Sequence, residues 1–167
     1  MTGDLRFSWE LSGTGWATYR IADGTSERKD HVSYCTDALA DLLFGVAGLY
    51  GPSSVQRISF DLEPAEARWV LRSRGQDVEI LIYLFADMST SFDLSDGQGE
   101  FSWGSTQPRS VVGHTVMRAA QTVLRQHGED GYRKKWMQHP FPVSALQDLA
   151  RLHLRDEQCR LEHDPVP

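Results

Sequence analysis

The sequence predicts an α+β fold: an antiparallel β-sheet of about six or seven strands, with one helix inserted midway and two or three C-terminal helices packed on one face. Two periodicities and one set of breaks predict it. Apolar residues alternate with polar ones over residues 7–34 and again over 55–85, the period of strands. They recur every three to four residues over 39–49, 112–124 and 146–152, the period of helices, and glycine or proline clusters separate the runs.

Phe7, Trp9 and Leu11 alternate with Ser8 and Glu10 in the first strand, which Gly13-Thr14-Gly15 ends. Ala17, Tyr19 and Ile21 form the second, closed by the Asp23-Gly24 hairpin signal, and the third runs from about Glu27 to Tyr34. Thr36 is placed to cap a helix whose Leu39, Leu42, Leu43, Val46 and Leu49 make one face, and Gly51-Pro52 stops it. A second set of strands covers Val55–Leu62, Ala67–Arg72 and Val78–Phe85; the last is apolar on both faces, which marks a central or doubly covered strand.

Residues 87–108 read as a long polar stretch holding Phe92, Leu94, Phe101 and Trp103, with Phe101-Ser102-Trp103 as a short edge strand. Loops of that length in a compact domain are often functional. Ser110 is placed to cap the next helix, which carries Val112, Val116, Ala119, Ala120, Val123 and Leu124 and closes at His127-Gly128. A short helix or turn follows over 129–138, then His139-Pro140-Phe141-Pro142 breaks the chain, and a final helix starts near Val143.

At 167 residues, 40% hydrophobic and 24% charged, the chain is expected to fold as one domain over 1–167 with its last few residues disordered. Cys35 and Cys159 form no CxxC pair, which argues against a zinc ribbon or a disulfide scaffold and fits a reducing, cytoplasmic compartment. The start of the chain lacks the basic and apolar regions of a signal peptide, and no apolar run reaches the roughly 20 residues that cross a bilayer. Net charge is −6. Residues 51–107 hold four basic and nine acidic side chains, and residues 108–167 hold nine and seven. An acidic middle argues against duplex nucleic acid and favours a basic protein partner.

His153, Asp156, Cys159 and His163 would share a face if the last helix continued, since Asp156, Cys159 and His163 stand at i, i+3 and i+7. The segment reads as a charged terminus without a recognised ligand spacing, so no metal and no cofactor are assigned. Cys35, at a strand-to-helix junction, reads as a buried structural cysteine. His31, His114, His127 and His139 lack an assignable carboxylate partner, and His114 and His127 read as helix-surface residues. Asp61, Glu63, Glu66, Asp77 and Glu79 flank turns and read as solvated charge. Gly97-Gln98-Gly99 lacks the strand and helix of a phosphate cradle, and Arg133-Lys134-Lys135 beside Tyr132 and Trp136 reads as a solvated helix face. No catalytic residue is assigned, and the sequence favours a binding protein over an enzyme.

Trp9-Glu10-Leu11-Ser12-Gly13-Thr14-Gly15-Trp16-Ala17 and Gly131-Tyr132 … Trp136 … His139-Pro140-Phe141-Pro142 resemble segments of small uncharacterised bacterial proteins. In size, acidity and strand-rich layout the chain is similar in type to the immunity proteins that neutralise secreted bacterial toxins, a resemblance that assigns no residue. The expected function is therefore a protein-binding module with an acidic surface. Phe92, Phe101 and Trp103 would be its anchors and Asp93, Asp96 and Glu100 its charged rim, although the same aromatics suit a core. The alternatives are a small enzyme or ligand-binding protein with a pocket between sheet and helices, and a structural homodimer joined at a sheet edge.

Overall fold

The structure, a computed structural model, describes residues 3–156 and 159–165. Strands β1 (Arg6–Leu11), β2 (Trp16–Ala22) and β3 (Glu27–Ser33) form an antiparallel sheet in that order, with Trp9 opposite Tyr19 and Tyr19 opposite Asp30. Alternation then puts Phe7, Trp9, Ala17, Tyr19, Ile21 and Val32 on one face, which is the face the sequence makes apolar. The turn into β2 needs glycine: Gly15 has φ of 81°, and a Cβ there would stand 2.9 Å from the Tyr34 ring. The Gly15 N–H donates to the Lys135 carbonyl at 2.7 Å. That bond joins the two segments that carry the bacterial resemblance, more than a hundred residues apart.

Helix α1 (Ala38–Ala47) is inserted next, and β4 (Val55–Asp61), β5 (Glu66–Arg74), β6 (Asp77–Phe85) and β7 (Glu100–Pro108) form a second antiparallel sheet in that order. The fold class, strand number and inserted helix are those the sequence predicts, while hydrogen bonding divides the strands three and four instead of running through one ladder. The sheets meet through aromatic rings. Tyr19 lies 5.1 Å from Trp69 and 5.5 Å from Phe60, and Trp9 lies 5.9 Å from Phe60. A chain of hydrogen bonds runs through this layer: Trp69 Nε1 donates to the Tyr19 hydroxyl at 3.1 Å, that hydroxyl donates to Asp30, and Arg28 Nε holds Asp30 at 3.0 Å. Burial, reinforced by the Asp30 charge, raises the Tyr19 phenol well above its ordinary value, so it stays a donor.

Helix α3 (Arg109–Trp136) lies along β1, α1 lies along β4, and α4 (Val143–Arg155) packs on both α1 and α3. Gly128, with φ of 64°, interrupts α3 where His127-Gly128 marks a stop in the sequence. Two cap assignments change. Asp37 precedes α1 and Pro108 precedes α3, leaving the Thr36 hydroxyl buried without a hydrogen-bond partner among the described residues and Ser110 inside the first turn. The edge strand β7 is nine residues long, well beyond the predicted Phe101-Ser102-Trp103. Its extension is hidden by polar residues on the inward face, Ser105 and Gln107, which replace apolar alternation: Gln107 Nε2 donates to Ser105 Oγ at 2.9 Å and to Asp4 Oδ1 at 3.2 Å. Val166 and Pro167, part of the expected disordered end, lie outside the described residues, and no helix among the described residues is long and apolar enough to cross a membrane.

Candidate functional site

The register of the second sheet places Ile58, Trp69, Ile82 and Trp103 on its inner face and Arg57, Ser59, Glu66, Arg68, Tyr83 and Phe101 on the other. Over one end of that outer face runs residues 87–99, the first half of the predicted loop. It contains helix α2 (Met88–Ser91), capped by Asp87, whose side chain accepts from the Ser89 N–H at 2.9 Å, and a turn over Asp96–Gln98 closed by a reciprocal Ser95–Gln98 box.

A buried charge network fastens this segment to the sheet. Arg68 donates from Nε and Nη2 to the two Glu66 carboxylate oxygens, each at 3.0 Å. Its remaining donors reach the Ser91 carbonyl at 2.8 Å, the Leu94 carbonyl at 2.8 Å and Asp96 Oδ1 at 3.3 Å. All five guanidinium N–H groups thereby have an acceptor. Glu66, only 2% exposed, also accepts from Ser59 Oγ at 2.5 Å and Ser91 Oγ at 2.6 Å. Burial alone would push its carboxyl up, but Arg68 and the two hydroxyls bring it net below its ordinary value. Arg57 clamps Asp96 through Nη2 at 2.7 Å and Nε at 3.0 Å, and this guanidinium, against the opposing effect of burial, holds Asp96 low. The reading of Glu66 as solvated turn charge is overturned, because its side chain points under the covering segment instead of into the turn.

The six residues proposed for partner binding divide. Phe92 is 80% exposed at the end of α2, and Phe101 is 57% exposed on β7 with its ring 5.9 Å from Tyr83. Asp93 and Glu100, their neighbours in sequence, are exposed, and register sets Glu100 opposite Leu84 while Phe101 stands opposite Tyr83. Asp96 is tied to Arg57 and Arg68, and Trp103, 3% exposed, is part of the core, because it faces inward opposite Ile82. Phe92, Leu94, Arg57 and Asp96 line a hollow of about 460 Å³ with Glu66 and Arg68 at its floor.

A second constellation lies at the other end of the chain. His114 comes from α3, His153 from α4, and Cys159 and His163 from the tail, and their ligand atoms all lie within 4.8 Å of one another. His153 Nε2 is 2.9 Å from His163 Nε2, and Cys159 Sγ is 3.4 Å from His163 Nε2 and 3.7 Å from His114 Nδ1. The far ring nitrogen of His153, Nδ1, meets the Tyr50 hydroxyl at 2.9 Å. Gly113 makes room for this pair, since a Cβ there would stand 2.2 Å from the Tyr50 oxygen and 3.1 Å from His153 Nδ1. Burial first, then His163 and His114, push His153 down to about 4. The placement of His114 on a helix surface is corrected: it is buried. Helical spacing is not what gathers the others, because α4 ends at Arg155 and Asp156 leaves the set to pair with Arg109 at 3.1 Å.

Cys35 is exposed instead of buried, and its thiol donates to Glu63 at 3.4 Å. His31 bonds Thr18 on the outer face of the first sheet, His127 is half-buried, and His139 Nδ1 lies 3.8 Å from Asp37. Arg133 and Lys134 are exposed on the last turns of α3, and Glu79 faces Arg72 and Arg74, each at 3.6 Å.

Fold and site thus define an α+β protein with a polar clamp under an exposed aromatic segment and a half-buried histidine–cysteine cluster. No family model matches the chain, and no curated protein matches it. Among solved structures, a chain of the CdiA-CT/CdiI toxin and immunity complex from Enterobacter cloacae aligns over 69% of this chain and 99% of its own length, at 11% identity and a TM-score of 0.44. A likeness at that level assigns no function.

Proposed function

We propose that this chain is a single-domain protein-binding module that recognises a basic protein surface through residues 92–101, in the manner of an immunity or antitoxin protein. The observation that carries the reading is two exposed aromatic side chains, Phe92 and Phe101, each next in sequence to an exposed acid, Asp93 and Glu100, with Phe92 and Asp93 on a segment held by Arg68 at the Ser91 and Leu94 carbonyls and by Arg57 at Asp96. Aromatic anchors contribute most of the affinity at protein interfaces, surrounding charge steers the encounter, and a prefixed backbone reduces the ordering cost of binding. Asp96 and Trp103 serve this surface from beneath, Asp96 as the anchor of the segment and Trp103 as core.

The test is affinity capture from the lysate and secreted fraction of the source organism, using wild type, Phe92→Ala/Phe101→Ala and Asp93→Lys/Glu100→Lys. A basic protein held by wild type, weakened at least about tenfold by the aromatic pair and retained less at low salt by the charge reversal, is the expected result. A partner bound equally by all three removes this surface from the function. Asp96 is left intact, since replacing it would release the segment as well as remove a charge.

A second reading, a small ligand-binding protein, has one observation in its favour. A hollow of about 440 Å³ opens between the start of α3, the β6 end and the tail, lined by Arg109, Ser110, Asp156, Cys159 and Arg160. Ligand screening by thermal shift distinguishes it from the first, since a small molecule would stabilise the chain with no dependence on Phe92 or Phe101.

A further inference from the structure

We propose that His114, His153, Cys159 and His163 form a four-coordinate zinc site that staples the C-terminal tail to helices α3 and α4. The donor set comes first: three imidazoles and one thiolate are nitrogen and sulfur ligands of the kind zinc takes in closed tetrahedral sites. Geometry comes second. Zinc bonds of about 2.0–2.1 Å to nitrogen and 2.3 Å to sulfur set neighbouring ligand atoms about 3.3–3.6 Å apart. Cys159 Sγ stands 3.4 Å from His163 Nε2 and 3.7 Å from His114 Nδ1. The His153–His163 contact of 2.9 Å has to open by only about 0.4 Å to meet the same spacing.

The surroundings fit as well. For His153 to aim the Nε2 lone pair inward, its proton must sit on Nδ1, and the Tyr50 hydroxyl 2.9 Å away receives it there. Gly113 keeps that outer bond possible by leaving the space a side chain would fill. His114 and His153 are buried on two packed helices, so half of the ligand set is in place before the tail arrives. The tail is delivered by other contacts: Asp164 pairs with Arg125 at 2.6 Å and Arg118 at 3.6 Å. The 440 Å³ hollow, with Cys159 in its wall, gives the ion a way in. Four protein ligands leave no open position, which makes the role structural. On binding, the Cys159 Sγ–H bond breaks, its proton goes to solvent, and the thiolate and three imidazole lone pairs form the four bonds to the ion.

The experiment uses tag-free full-length protein purified without chelators. Elemental analysis is expected to find one zinc per chain. After chelator treatment, cobalt(II) titration is expected to saturate at one equivalent, with the visible bands of a tetrahedral site and a sulfur-to-cobalt charge-transfer band. Cys159→Ser should abolish the charge-transfer band, and His114→Asn should weaken zinc binding at least about a hundredfold. Tyr50→Phe should keep the bands and weaken zinc about tenfold to a hundredfold, as loss of an orienting partner does. Wild-type protein that is metal-free and gives no tetrahedral cobalt spectrum overturns the site, and so does a Cys159→Ser protein whose spectrum and affinity match wild type. The wild-type spectrum decides the matter even where a variant does not fold.

Discussion

The covering segment and the C-terminal tail are both held against the body by polar side chains, yet the two attachments differ in kind. Under the segment, Arg68 places all five donors and Glu66 receives four, so that charge, donors and acceptors balance among protein groups. Under the tail, three imidazole nitrogens, from His114, His153 and His163, and the Cys159 sulfur gather within 4.8 Å of one another with few protons to share among them. The first attachment is complete in itself. The second is a cluster of nitrogen and sulfur atoms with more acceptors than donors, which under the proposed zinc site a cation completes. The difference teaches that burial of polar groups signals different things according to whether donors and acceptors match.

The largest effect that would break this comparison is on the complete side. Arg68→Ala leaves Glu66 buried and unpaired, and denaturant unfolding should show a loss of about 3–5 kcal/mol. Replacing both residues together by apolar ones of similar volume should cost far less, because no uncompensated charge remains. A single-variant loss that stayed within the range of an exposed substitution would mean that the network is not what holds residues 91–96.

A smaller effect sharpens the same point through pH. Glu66 and Asp96 both have folded values below their ordinary ones, so their contribution is fully present above about pH 4 and is lost as pH falls through the lowered values. Hydrogen exchange at Ser91–Gly99 should therefore accelerate on acidification below that range, before exchange in β5 and β6 does. In Asp96→Asn the Asp96 share of that acid dependence should disappear. Exchange in the segment that stayed flat with acid would show that neither carboxylate anchors it.

Much of the architecture was legible because it rests on short-range patterns. Alternation at Phe7–Leu11 and Ala17–Ile21, the helical stripe from Leu39 to Leu49, and the stop at His127-Gly128 all carry through to the structure. The sites were less legible, for physical reasons that differ by residue. Glu66 and Arg68 alternate with Ala67 and Trp69, so the strand reads as half-solvated although both of its faces are covered. Trp103 among serines and glycines looks like a surface anchor until register pairs it with Ile82. Cys159 and His163 were visible as candidates, but on a helix that ends at Arg155, and nothing local ties them to His114. Phe92 stays outside while the chain beside it is fixed by Arg68 at the Ser91 carbonyl, and Phe101 stays outside because register turns it to the outer face with Tyr83.

The contrast between the two attachments is tested most directly by hydrogen–deuterium exchange on the wild-type protein, loaded with zinc and then treated with a chelator. Chelation should speed exchange in residues 159–165 and leave residues 91–99 unchanged. Identical exchange of the tail in both samples would contradict the contrast and remove the metal from the structure.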